Sequence, residues 1–100
     1  MITTPKVRES LTGPVAALHT TFNRDGSIDY TGLRNLVDAC IEGGAKAIIL
    51  THGDSLFTVL SEYEIREVTR LVAEYTGDRA MMVAADGSWW TGQTMEFARY

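Results

Sequence analysis

Ala45-Lys46-Ala47-Ile48-Ile49-Leu50 is an apolar run with no alternation that breaks into Thr51-His52-Gly53-Asp54-Ser55. Continuous Ile-Ile-Leu fits a strand buried on both faces, as in a parallel sheet covered by helices. Two further runs of the same kind, Val15-Ala16-Ala17-Leu18 and Ala80-Met81-Met82-Val83-Ala84-Ala85, flank it at intervals of about 30 to 35 residues, the length of a βαβ unit. Each run is followed by polar residues. The spacing predicts parallel strands near 15–18, 46–51 and 81–85, with helices near 30–42, 62–75 and 92–100 on one side.

The helix signals are local and specific. Asp29 is placed to N-cap a stripe of Leu33, Leu36, Val37, Cys40 and Ile41, which Gly43-Gly44 ends. Cys40 on that stripe reads as a small buried hydrophobe rather than a nucleophile. Ser61 and Glu64 form a capping box with Leu60 and Ile65 as its staple, and Gly77 stops that helix. Thr91 is expected to cap the last helix. Asn23-Arg24-Asp25-Gly26-Ser27 reads as a turn, and residues 1–12 as an irregular leader. Trp89-Trp90 is expected to serve packing or an oligomer contact, as most tryptophans do.

Composition narrows the class of function. The chain has 100 residues, 45% hydrophobic and 22% charged, with a net charge of −4 and no block of like charge. These values argue for a globular domain with neither a nucleic-acid nor a membrane surface. A start without a signal-peptide apolar core, together with a single cysteine, leads to the expectation of a cytoplasmic protein.

Parallel βα units collect their polar exits at one end of the sheet, where α/β folds hold ligands. The candidates there are His19-Thr20-Thr21, the Thr51–Ser55 loop and Asp86-Gly87-Ser88. Neither G-x-G-x-x-G nor a Walker A pattern occurs. Ser55, His52 and Asp54 spell a nucleophile, base and acid, but adjacency in one loop rarely gives relay geometry. His19, His52, Asp54 and Asp86 could ligate a divalent ion, so a metal-dependent enzyme is one alternative. A second is a non-catalytic barrel fragment that pairs through open sheet edges.

Several segments, in order and at matching spacing, resemble the dihydrodipicolinate synthase / N-acetylneuraminate lyase family. Gly13-Pro14-Val15 with Thr20-Thr21-Phe22 is similar to the opening strand and its Thr-Pro-Phe exit. Asp25-Gly26-Ser27-Ile28-Asp29 is similar to the family's Asp-Gly-x-(Ile/Val)-Asp turn. Thr51-His52-Gly53-Asp54-Ser55 stands where the family has Gly-Thr-Thr-Gly-Glu, and Leu60-Ser61-Glu62-Tyr63-Glu64 where it has Leu-(Ser/Thr)-x-x-Glu. Gly77-Asp78-Arg79 and Val83-Ala84-Ala85-Asp86-Gly87 are similar to the third strand and its glycine-rich exit.

The resemblance implies a TIM (β/α)8 barrel, of which this chain supplies about the first three βα units as one N-terminal part of a single domain. It implies a class I lyase that condenses a lysine with a 2-keto acid such as pyruvate, with an aldehyde as the other reactant of an aldol step. No cofactor is implied, and a dimer or tetramer is. Thr51 falls on the proton-relay position. His52, in place of a threonine, falls with Gly53 and Asp54 on the substrate-binding positions. Leu50 and Ala85 replace motif glycines, which marks a divergent member. The family's Schiff-base lysine and catalytic tyrosine lie on later strands, beyond Tyr100. Lys46 enters its strand from the opposite end.

Overall fold

The computed structural model describes residues 2–86 and 90–100. Its elements run α1 (Thr4–Ser10), β1 (Val15–Ala17), α2 (Tyr30–Glu42), β2 (Ala47–Ile49), a 3-10 turn (Phe57–Val59), α3 (Glu62–Thr76), β3 (Met81–Val83) and α4 (Thr91–Arg99). The sheet order is β1-β2-β3, with Val15 opposite Ala47 and Ala47 opposite Met81, and both pairings are parallel. The strands are shorter than the apolar runs, but single backbone bonds prolong the pairing. Leu18 N–H donates to Ile49 O, and Leu50 N–H to Val83 O, each at 3.0 Å.

One core fixes the layers. Leu18, Ile48 and Leu50 from the sheet pack with Leu33 and Val37 of α2 and with Val68, Leu71 and Val72 of α3. Both crossover helices therefore cover the same face, as right-handed connections between sequential parallel strands require. The opposite face carries Ala17, Ile49, Met81 and Val83, all partly exposed, and Val15, which is 45% exposed.

The caps follow the sequence closely. Asp29 Oδ1 accepts from Gly32 N–H at 2.9 Å. At the far end of α2, Ala45 N–H reaches Cys40 O and Gly44 N–H reaches Ile41 O, both at 3.0 Å. This is a Schellman motif, with Gly44 at φ +99° supplying the left-handed residue. Ser61 Oγ accepts from Glu64 N–H at 3.1 Å, and Glu64 Oε1 accepts from Ser61 N–H at 3.0 Å, completing the capping box.

Two expectations need correction. The leader is not irregular, because Thr4–Ser10 is helical with Pro5 in its first turn, where proline's fixed φ and missing N–H cost nothing. Thr91 is not the cap of α4. Trp90 holds the N-cap position in an extended conformation with no side-chain cap bond, and Thr91 is already helical. Of the Trp pair, Trp89 lies outside the described residues. Trp90 is 65% exposed with its ring folded across Gly92, where a Cβ would come within 2.6 Å of it. Its packing is local rather than in the core.

Candidate active site

The C-terminal ends of the three strands lie at one end of the sheet, as the parallel register requires, with Gly87 and Ser88 of the third exit outside the described residues. The first two exits are joined by a buried network. Ser55 is fully buried, and its Oγ accepts from Thr51 N–H at 3.0 Å while donating to Leu18 O at 2.5 Å. Thr20, 6% exposed, donates its hydroxyl to Ser55 O. The second loop is thereby anchored to the first strand. Thr21 extends the anchoring to α2, since its hydroxyl donates to Asp29 O at 2.7 Å and its carbonyl accepts from Asp29 N–H at 2.8 Å.

The Thr51–Ser55 loop closes on itself. Thr51 Oγ1 accepts from Asp54 N–H at 3.0 Å, and Gly53 O accepts from Leu56 N–H at 3.0 Å. Leu56 takes φ 58°, the left-handed region, to complete the return. With its oxygen occupied by the Asp54 amide, the Thr51 hydroxyl keeps its own proton to donate. The amides of His52 and Gly53 have no acceptor among the described residues.

Thr51 and His52 do not present their side chains together. Alternation along the strand puts Thr51 with Ala47 and Ile49 on the face away from the helices. The His52 ring lies on the helix side. It makes an edge contact with the buried Phe57 ring, centroids 6.3 Å apart, and its Nε2 is 3.1 Å from Asp86 O. There it borders a cleft of about 460 Å³ between α3 and α4, whose walls include Leu60, Arg66 and Phe97. His52 thus ties the second exit loop to the third. Asp54 is exposed, with its backbone rather than its carboxylate engaged at Thr51.

His19 is exposed at the first exit. Among the described residues no three of His, Cys, Asp and Glu converge on a common point, so His19, His52, Asp54 and Asp86 do not assemble the ligand cluster of the metal alternative. Nor do Ser55, His52 and Asp54 form a relay, because Ser55 spends its proton on Leu18 O while His52 meets Asp86 O. The joining role of Ser55 and Thr20 had no sequence signal. It depends on which carbonyl of the first strand faces the loop, and that is set by register.

On the Lys46 side, the opposite end of the strands, a separate hollow is bordered by Lys6, Lys46 and Arg79. Lys46 lies across Gly13, with its Cδ 3.1 Å from where a Cβ would stand. Neither Lys6 nor Lys46 approaches Thr51 from there.

Comparison with known proteins places this geometry. Residues 10–100 match the model of the dihydrodipicolinate synthetase family. The chain is 34% identical over 96 residues to the 4-hydroxy-tetrahydrodipicolinate synthase of Ruthia magnifica subsp. Calyptogena magnifica, covering 94% of this chain and 32% of that protein. It is 38% identical over 87 residues to the synthase of Synechocystis sp., covering 84% of this chain and 28% of that one. It therefore spans about a third of the length of these curated relatives. Among solved structures, dihydrodipicolinate synthase from Bacillus clausii superposes with a TM-score of 0.83 at 30% identity, over 93% of this chain and 31% of that one. N-acetylneuraminate lyase from Mycoplasma synoviae superposes with a TM-score of 0.76 at 29% identity, over 85% of this chain and 30% of that one. The three βα units are the opening units of a TIM (β/α)8 barrel, and the chain belongs to the dihydrodipicolinate synthetase family of lyases and synthases.

Proposed function

We propose that residues 1–100 are the N-terminal part of a single TIM-barrel domain whose complete form acts on a 2-keto acid such as pyruvate through a lysine Schiff base. The lysine and its tyrosine partner belong to strands beyond Tyr100. Imine formation gives the substrate a protonated nitrogen that accepts the electron pair of the bond being broken, or releases it to the bond being made. In this reading Thr51 relays a proton. Asp54 holds the Thr51 oxygen through its amide, and the amides of His52 and Gly53 face the keto-acid carboxylate. Successive backbone N–H groups in a loop make a concavity suited to an anion.

The observation that carries the reading is the Thr51–Asp54 bond at 3.0 Å. It fixes a hydroxyl at the strand's C-terminal end with its proton free, on the sheet face that a closed barrel turns inward. The complete enzyme is proposed to be a cytoplasmic homo-oligomer that needs no metal or organic cofactor. Borohydride trapping with pyruvate tests the mechanism in the full-length protein. The label should appear on a lysine beyond Tyr100 and leave Lys6 and Lys46 unmodified. An active full-length protein that no 2-keto acid and borohydride ever label would defeat it.

A further inference from the structure

The bond from Leu18 N–H to Ile49 O fixes where the next rung of the β1–β2 ladder belongs. In a parallel pair, one residue donates to a partner and accepts from the residue two further along. After Leu18 N–H to Ile49 O, the next rung is Thr51 N–H to Leu18 O. That rung is not made. The Ser55 hydroxyl stands in its place, accepting from Thr51 N–H at 3.0 Å and donating to Leu18 O at 2.5 Å. One side chain has been inserted into the ladder at the exit of the strands.

This insertion satisfies both backbone groups while holding them apart by the width of an oxygen atom. Ser55 is 0% exposed and Leu18 is 1% exposed, so water does not compete for either bond. The Ser55 carbonyl is itself taken by the Thr20 hydroxyl, which stops the wedge from swinging out. The backbone of Thr51 is therefore located by Ser55, and the Thr51 hydroxyl is then located by Asp54 N–H. Removal of the Ser55 oxygen leaves two outcomes for the backbone. Either Thr51 N–H closes directly onto Leu18 O and the exit narrows, or a buried amide is left without a partner. The first moves Thr51, and the second leaves it without the bond that holds it in place.

We propose that Ser55 is a positioning residue for the chemical step, a hydroxyl wedge that holds the first two strands apart at the site and sets the place of Thr51. The inference rests on the reading of Thr51 as a proton relay, and the test separates the two. In the full-length enzyme, Ser55→Ala should lower kcat by about tenfold to a hundredfold, as displacements on the order of 1 Å do, with the keto-acid KM changed far less. Ser55→Cys keeps the shape of the side chain but substitutes a larger atom that is a weak donor and acceptor, and it should show the same split. It also serves in place of the alanine variant should that one not fold. The deciding measurement is the cycle with Thr51→Val. A wedge that acts through Thr51 predicts that Thr51→Val/Ser55→Ala is no slower than Thr51→Val alone. Two kcat losses that multiply, or a Ser55→Cys enzyme with wild-type kcat, would overturn the wedge. A Thr51→Val enzyme with wild-type kcat would instead remove the relay. The wedge then stands or falls on the Thr51 amide, whose hydrogen exchange must quicken or whose partner must become Leu18 O in Ser55→Ala.

Discussion

Tyr75 donates a 2.6 Å hydrogen bond to Asp38, joining the last turn of α3 to α2 across the outer surface of the helix layer. Arg79 takes the other carboxylate oxygen at 2.8 Å, donates to Tyr75 O at 2.7 Å and lies over the Tyr75 ring, 4.9 Å from its centroid. The Tyr75 bond first, and the Arg79 bond second, hold the Asp38 carboxyl below its ordinary value. The same bond to Asp38, followed by burial, raises the Tyr75 phenol. A carboxyl lowered in the folded state contributes stability above its unfolded pKa and loses it as pH falls through the folded one. A raised phenol contributes below its unfolded pKa and loses that as pH rises through the folded one. Asp38→Asn should therefore reduce the urea midpoint at neutral pH, and the gap to wild type should close in acid. A gap that stayed constant down to strongly acidic pH would contradict the clamp.

At the start of α2, the cap and the glycine depend on each other. A Cβ on Gly32 would stand 2.6 Å from Asp29 Oδ2 and 2.9 Å from Thr21 Oγ1. Alanine gains roughly 0.5–1 kcal/mol over glycine inside a helix. Here it also pushes away the carboxylate that caps the helix, and losing such a cap costs about 1 kcal/mol. The crowding at Thr21 adds to that loss, so Gly32→Ala should destabilise. In an Asp29→Ala background the same change should cost less, because the clashing oxygen is gone. Equal costs in the two backgrounds, by chemical denaturation, would show that the contact is relieved freely.

The Ser61–Glu64 box sits on the exposed first turn of α3, so its effect is separable from core packing. Ser61→Ala should lower stability by about 0.5–2 kcal/mol. Ser61→Asp, which keeps an acceptor for Glu64 N–H and adds a negative charge at the helix N-terminus, should recover most of it. Thermal unfolding of both variants checks the ranking.

What was legible in the sequence is what depends on neighbours in the chain. The Ser61 box, the Asp29 cap and the Gly43-Gly44 stop all act within four or five residues and stand where their signatures placed them. The parallel strands were legible from unbroken apolar runs at a βαβ interval. Helix α1 was not, because its seven residues bury little beyond Ser10 and leave no stripe to read. Resemblance to a family motif set His52 beside Thr51 on a substrate-binding position, but the direction of its ring, toward Phe57 and Asp86 O, is set by the bend that follows β2 and has no local signature. The Ser55 wedge was out of reach for a different reason. It is a relation between a loop serine and a carbonyl 37 residues earlier, defined only once the two strands are in register.

The opposed placement of Thr51 and His52 divides their expected kinetics. Thr51→Val removes the hydroxyl that Asp54 N–H holds, so in the full-length enzyme kcat should fall by on the order of 10²–10⁴, the range for a group that moves a proton. His52→Ala keeps the amide proposed to face the carboxylate and removes only the ring. If the amide is the grip, the keto-acid KM should shift by about threefold or less, against the roughly ten- to hundredfold expected from losing a charge-assisted hydrogen bond. The lost link to Asp86 O should show instead as faster hydrogen exchange in the third exit loop. A KM that rises tenfold or more in His52→Ala, with exchange in that loop unchanged, would mean that the imidazole swings to the other face of the sheet and binds the carboxylate itself.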